Sequence, residues 1–256
     1  MKRYVKKFGV HSEGVVGLIL AGGSGSRLLP FTRYTHKSLL PIFDRSVIDY
    51  ALATFRRSGI NDITIVANRH IMQISEHIGP GLDEEHFQYV LEESPEGVAS
   101  ALNLARSRIE GRRFLLYFSD NITSWNFADD VAFFSEAHEP PGAVLLVREV
   151  ENPGAFGVCI IDDSGKIIDI LEKPEDSDSN LAVGGIYLFD ESFFDRFDAI
   201  DREGGFSISD ITRQYVSEGR ASIREIGEST WIDCGTPQNL LKASILANND
   251  EIDADF

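Results

Sequence analysis

The 256-residue chain is 43% hydrophobic and carries a formal net charge of −17 at neutral pH. The apolar share is that of a soluble folded domain and excludes a disordered chain, while the acidic excess excludes the clustered basic face of a nucleic-acid binder. Phosphate ligands stay open, because a few cations and backbone amides gathered in one pocket bind a phosphate even on an acidic molecule.

Cys159 and Cys234 are too few for a disulfide framework and lack metal-finger spacing, so the expected compartment is the reducing cytoplasm. "MKRYVKK" followed by "VVGLILAGG" imitates a secretory leader, but polar "HSEG" interrupts it, and the short apolar run reads as the first core strand. No stretch reaches the roughly 20 apolar residues of a spanning helix, so no membrane partner is expected.

"GVVGLILAGG" is a continuous apolar run ending in glycines, the pattern of a parallel strand buried on both faces. Ser46 with Asp49 marks a helix start, and "VIDYALATFRRSG" keeps helical apolar spacing up to a stop at Gly59. A strand in "DITIVAN", a helix in "IMQISEHIG", a strand around "FQYVLEE", a helix in "GVASALNLARSRIEG" and a strand in "RFLLYFSD" follow. This βαβ series predicts a Rossmann-like, mainly parallel α/β sheet flanked by helices, with the strand ends at Gly22 and Asp120 on one ligand-binding edge. From Pro140 onward, "GAVLLVREV", "FGVCIIDDSGKIIDILEKP" and "LAVGGIYLFD" read as strands with few helices, "DDSGK" being a hairpin turn. They predict an inserted antiparallel substrate or lid lobe. A helix in "SDITRQYVSEG", a strand in "ASIREIG" and a helix in "TPQNLLKASILANN" complete the pattern, and "DEIDADF" reads as a solvated, frayed end.

"LILAGGSGSRLLPFTRYTHKSLLP", Leu18 to Pro41, joins the first strand to a glycine loop with Arg27 and Lys37 beyond it. Arg27 stands where a Walker A loop needs lysine and then serine or threonine, and Leu28 stands where a dinucleotide fingerprint needs its third glycine. What survives is a loop whose backbone N–H groups approach a triphosphate while Arg27 and Lys37 meet its oxygens, or a turn bearing two surface cations.

The whole string resembles, nearly position by position, the signature of the sugar-1-phosphate nucleotidyltransferases. "ESPEGVASAL", "FSDN", "FGVCIID…ILEKP", "AVGGIYLFD", "SISDITRQYVSEGR" and "WIDCGTPQNLL" then occur in that family's order, closest to the glucose-1-phosphate thymidylyltransferases, from Val15 to about Ala247. The resemblance implies the nucleotidyltransferase fold in a single domain, 1–256, with a nucleotide-binding half over about 15–139 and a sugar-binding half over about 140–256. It implies an enzyme that joins a nucleoside triphosphate, dTTP first, to a sugar 1-phosphate, glucose 1-phosphate first, with Mg2+ as cofactor and a homo-oligomeric assembly.

By the same resemblance Arg27, Lys37 and Lys173 are the catalytic cations, Lys173 taking the sugar phosphate. Leu20, Ala21, Gly22, Gly23, Ser24, Gly25, Ser26, Glu92, Pro95, Gly97 and Asp120 line the nucleotide site, and Asp120 with Asp233 holds magnesium. Asn121, Gly157, Glu172, Lys173, Gly185 and Tyr187 form the sugar site, although an aromatic on an apolar strand such as Tyr187 also reads as packing.

The sequence departs from the family pattern in four places. Glu92 replaces the usual base-pairing glutamine, and an ionised glutamate only accepts hydrogen bonds. Backbone groups compensate, Glu92 is protonated, or the base is an amino-bearing one such as cytosine. Gly205 and Ser207 stand where glutamates are common, and Ser119 replaces the glycine before the metal aspartate. Two rival readings follow: cytidylyl or uridylyl transfer to another phosphorylated small molecule, and a non-catalytic nucleotide-sugar-binding regulator.

Overall fold

The computed structural model describes residues 14–254 except 83, 138–139 and 202–204, so the leader-like "MKRYVKK" lies outside the described residues. Strand β1 (Val15–Ala21) is buried along its whole length. Val16, Leu18 and Leu20 enter one core and Val15, Ile19 and Ala21 the other, which is why the strand shows no polar alternation. Full burial of such side chains is worth about 1.5–3 kcal/mol each.

After the glycine loop, the two-residue strands β2 (Pro41–Ile42) and β3 (Arg45–Ser46) lead into α1 (Val47–Arg57). Ser46 caps α1 as its sequence pattern predicts: Asp49 Oδ2 accepts from the Ser46 backbone N–H at 2.7 Å. Strand β4 (Asp62–Ala67), α2 (Ile71–Ile78), β5 (His86–Leu91), α3 (Val98–Ile109) and β6 (Arg113–Phe118) continue the βαβ series. Then come β7 (Asn121–Thr123), α4 (Ala128–Glu136), β8 (Ala143–Glu149), β9 (Gly157–Ile161), β10 (Ile167–Glu172) and β11 (Leu181–Phe189). The chain closes with α5 (Phe193–Ala199), α6 (Ile208–Ser217), β12 (Ala221–Glu225), β13 (Trp231–Asp233) and α7 (Pro237–Asn248).

Nine strands form one sheet with the path β10-β9-β11-β6-β1-β4-β5, and β8 joins β11 to β12. Strands β6, β1, β4 and β5 are parallel, so Leu20 and Phe118 are paired and the loops beyond them leave from the same edge. The antiparallel strands of the second half continue this sheet through β11, whose C-terminal part lies between β6 and β8 and whose N-terminal part pairs β8 and β9. A side pair, β13 with β7, sets Asp233 opposite Asn121. That pairing brings two segments more than 100 residues apart to the site.

Helices α3, α5 and α6 cover one face of the sheet, and α1, α2 and α4 the other. Close approach of α1 requires Gly17, because a Cβ there would lie 2.7 Å from the Phe55 ring. Helices α4 and α5 are additions to the sequence reading. They are short, and α5 is anchored by the aromatics Phe193, Phe194 and Phe197, whose run masks the helical period. The frayed end expected for "DEIDADF" is corrected over its described part: Ile252 and Ala254 are buried in a third core with α7, Tyr50 and Ile232. Among the described residues no helix is long and apolar enough to cross a membrane.

Candidate active site

The glycine loop leaves β1 at Gly22 and is tied down through its carbonyls. Asn68 Nδ2 donates to Gly22 O and Gly23 O at 3.3 Å, and Thr32 Oγ1 donates to Gly25 O at 2.7 Å. These bonds pin the loop without using its backbone N–H groups. Gly25 has φ +64° and a Cβ there would meet Thr32 at 2.8 Å, so the turn demands glycine twice over. Arg27 follows in a single 3-10 turn, Ser26–Leu28, anchored by buried Leu28.

The next turn, Lys37–Leu39, is fastened to the strand ends by its neighbours. His36 is buried; its Nδ1 accepts from Ser38 N–H at 3.1 Å, which leaves Nε2–H to donate to Ala21 O at 2.6 Å. Burial drives the ring pKa from 6.5 down to about 4, so the imidazole is neutral. Ser38 Oγ donates to Ser119 Oγ at 2.8 Å, so the hydroxyl that replaces glycine before Asp120 secures the lysine turn. Lys37 Nζ consequently rests on Asp120 Oδ2 as a part-buried ion pair.

Asp120 and Asp233 are neighbours: Cys234 N–H donates to Asp120 O at 2.7 Å. Burial pushes the Asp120 carboxyl up, but Lys37, supported by Arg27, outweighs it and holds the group below the usual carboxylate range. Asp233 shifts the other way, raised by burial and then by the charge of Asp120. The Arg27 guanidinium lies over Gly235, where a Cβ would come within 2.5 Å of it and 2.7 Å of Asp233 Oδ1. Two carboxylates whose repulsion raises one pKa, flanked by two cations, are the donor set a hard divalent cation needs when substrate oxygens complete its shell. Asn239 Nδ2 donates to Asp233 O at 2.5 Å and Asp233 Oδ1 accepts from Gly235 N–H at 2.6 Å.

A cleft of about 360 Å3 opens beside this cluster, lined by Leu20, Gly22, Gly23, Ser24, Lys37, Glu92, Pro95, Gly97, Val98, Ala101, Phe118 and Asp120. Most residues expected in the nucleotide site are thus in one wall. Ala21 is buried below it, and Gly25 and Ser26 carry the loop on to Arg27.

The residues expected at the sugar site fall into two clusters, one about Glu172 and one about Asn121. Glu172 Oε2 accepts from Ser209 Oγ at 2.5 Å, and a Cβ on Gly157 would lie 3.0 Å from the same Ser209 hydroxyl. Lys173 is exposed, follows Glu172 with φ +46°, and has Nζ 3.7 Å from Glu172 Oε1. Gly185 is pressed against Asn121, where a Cβ would be 2.5 Å from Nδ2. Asn121 is itself buried, accepting from Trp231 Nε1 at 2.8 Å, so it braces this region from within. Tyr187 is buried beside Phe118 and stacked on Phe189, the packing arrangement. His36, Asn68, Ser209, Trp231 and Asn239 were not assigned roles by sequence reasoning; all but Asn239, whose partner Asp233 is six residues away, act through a partner distant in the chain.

The sequence profile of the nucleotidyl transferase family matches residues 16–249. This chain belongs to that family. The nucleotidyl transferase is 36% identical over 233 residues to a glucose-1-phosphate thymidylyltransferase of Xanthomonas campestris pv. campestris, covering 89% of this chain and 79% of that protein. It is 31% identical over 239 residues to the low-salt glycan biosynthesis nucleotidyltransferase Agl11 of Haloferax volcanii, covering 92% of this chain but 66% of that longer protein. A Bacillus anthracis glucose-1-phosphate thymidylyltransferase solved with sucrose superposes with a TM-score of 0.85 at 34% identity, over 92% of this chain and 96% of that one. A UDP-glucose pyrophosphorylase bound to UDP-glucose, at TM-score 0.80 and 22% identity over 91% and 98% of the two chains, shares the fold.

Two departures of this nucleotidyl transferase have local explanations. Ser207 caps α6, its N–H donating to Asp210 Oδ2 at 2.7 Å. Gly205 has φ +98°, a conformation that glutamate rarely adopts. Neither cysteine is poised as a nucleophile: both are buried, and burial lifts the Cys159 thiol to about 12.

Proposed function

We propose that this nucleotidyltransferase transfers a thymidylyl group from dTTP to glucose 1-phosphate, with Mg2+ held by Asp120 and Asp233. The observation that carries the reading is the arrangement of Lys37, Asp120, Asp233 and Arg27 at the mouth of a pinned glycine loop. A phosphate oxygen of the sugar phosphate attacks the α-phosphorus; a P–O bond forms to it as the bond to the bridging oxygen breaks, and pyrophosphate leaves. The attacking phosphate is already anionic, so no general base is needed and the work lies in aligning two anions and offsetting charge.

Arg27 and the amides of Gly22 to Ser26 receive the β- and γ-phosphates and then the leaving pyrophosphate. Lys37 moves between Asp120 and the α-phosphate, while Lys173 meets the sugar phosphate and Glu172, held by Ser209, accepts from sugar hydroxyls. Bound magnesium would neutralise phosphate charge between Asp120 and Asp233.

The test is pyrophosphate release across all nucleoside triphosphates, each paired with a panel of sugar 1-phosphates, with magnesium present or chelated. The expected result is fastest release from dTTP with glucose 1-phosphate and loss of it on chelation. Silence in every combination would overturn the enzymatic reading and favour a nucleotide-sugar sensor.

A further inference from the structure

Away from the charged cluster, the cleft walls are Leu20, Pro95, Val98, Ala101 and Phe118, the apolar end that a nucleobase would enter once its phosphates lie on the glycine loop. Four lining side chains can form hydrogen bonds: Ser24, Lys37, Glu92 and Asp120. Lys37 and Asp120 engage each other and Ser24 belongs to the phosphate loop, which leaves Glu92 to read the base.

Glu92 follows β5, its N–H donating to Ala67 O at 2.8 Å, and its side chain is 2% exposed. The carboxyl lies on Gly22, where a Cβ would come within 1.9 Å of Oε2. Oε1 is buried and has no hydrogen-bond partner among the described residues. Among the described residues, no cation figures among the charges that shift Glu92. Gly22, just beyond β1, lies against it, and Glu96 and the Ser100 hydroxyl face it from around the start of α3. Lys37 lines the same cleft but is taken by Asp120, and Arg69 lines a different depression with Glu93.

Burial first, and then the charge of Glu96, raise the Glu92 pKa, against hydrogen bonds from Ser100 and the Glu96 backbone. An ionised carboxylate with a bare, buried oxygen is costly, whereas the neutral acid offers one O–H donor and one C=O acceptor in a plane, the pair a primary amide offers.

Resting on the nucleotidyl-transfer reading, we propose that Glu92 binds the base as a protonated acid, its O–H donating to a ring carbonyl and its C=O accepting from the adjacent N3–H of thymine or uracil. Nucleotide affinity is then linked to pH, since base binding retains or takes up one proton at Glu92. An ionised Glu92 would instead place negative charge against the ring carbonyl and suit two adjacent donors, such as the N1–H and amino N–H of guanine.

The experiment is titration calorimetry of the full chain with dTDP-glucose and UDP-glucose between pH 6 and 8.5, in buffers of different ionisation enthalpy. These ligands carry a diphosphate bridge with no group titrating in that range. In the wild type, Kd should rise about tenfold per pH unit above the Glu92 pKa, with uptake approaching one proton per ligand. Glu92→Gln, which keeps the donor–acceptor pair without titrating, should bind with a flat profile and no proton uptake. Infrared difference spectra against Glu92→Gln read the carboxyl directly: an ionised Glu92 in the complex, or no proton uptake by a free chain in which Glu92 is ionised, would overturn the inference and would leave the transferase reading intact. Tighter binding of guanine or cytosine nucleotide sugars would overturn it as well. Failure of every nucleotide sugar to bind would overturn both.

Discussion

Acid should loosen this protein at His36 before it protonates most of its carboxylates. The ring is 1% exposed and accepts at Nδ1 from Ser38 N–H while donating from Nε2 to Ala21 O. Protonation removes the Nδ1 acceptor and sets N–H against N–H. The folded pKa, about 4, lies below the 6.5 of an unfolded histidine, so between these values the unfolded chain binds the extra proton. The sign follows: this contribution is fully present above pH 6.5 and is lost as pH falls toward 4. At about 1.4 kcal/mol per pKa unit, the loss reaches about 2 kcal/mol at pH 5 and about 3 kcal/mol below pH 4. Urea unfolding followed by fluorescence of Trp125 and Trp231 gives the stability at each pH, and His36→Gln supplies the reference that keeps a donor and an acceptor without titrating. The wild type should lose about 2 kcal/mol relative to the variant between pH 7 and 5. Parallel stability profiles would refute the neutral-clasp argument, because every other titrating group is common to both proteins.

Asp120→Asn should lower pyrophosphate release by roughly a hundredfold or more while the circular dichroism spectrum is unchanged, since it removes charge from the cluster but not volume from the core. Near-normal magnesium-dependent turnover would remove Asp120 from the metal site. Ser209→Ala deprives Glu172 of its 2.5 Å donor and should raise KM for the sugar phosphate roughly threefold to tenfold with little change in KM for the nucleotide; an equal change in both would place Ser209 in general stability. Gly17→Ala drives a methyl to 2.7 Å from the Phe55 ring and should cost about 1–3 kcal/mol in denaturant unfolding. An unaltered midpoint would mean that α1 gives way freely.

Much of this molecule was legible in linear order. The unbroken apolar run of β1 announces a strand buried on both faces, and the Ser46–Asp49 pair announces α1, because both signals are local and depend on period and backbone termini alone. The glycine loop, Arg27, Lys37, Asp120 and Asp233 were likewise picked out by pattern, as was the anomaly at Glu92. Helix α5 was hidden because aromatic residues face its core from several angles, and burial of Ile252 could not be told from an acidic tail until α7 had a core to share with it.

Period and spacing along the chain suffice for the βαβ order and for the set of chemical groups available to the site. Which groups meet emerges from packing alone: Lys37 on Asp120, Ser38 on Ser119, Ser209 on Glu172, and Glu92 on Gly22 with one oxygen left bare. Register of β1 with β6 aligns Lys37 and Ser38 with Asp120 and Ser119, register of β1 with β4 and β5 sets Glu92 beside Gly22, and α6 brings Ser209 to Glu172 on β10; burial then lowers the His36 pKa and raises that of Glu92 once the strands have closed around them.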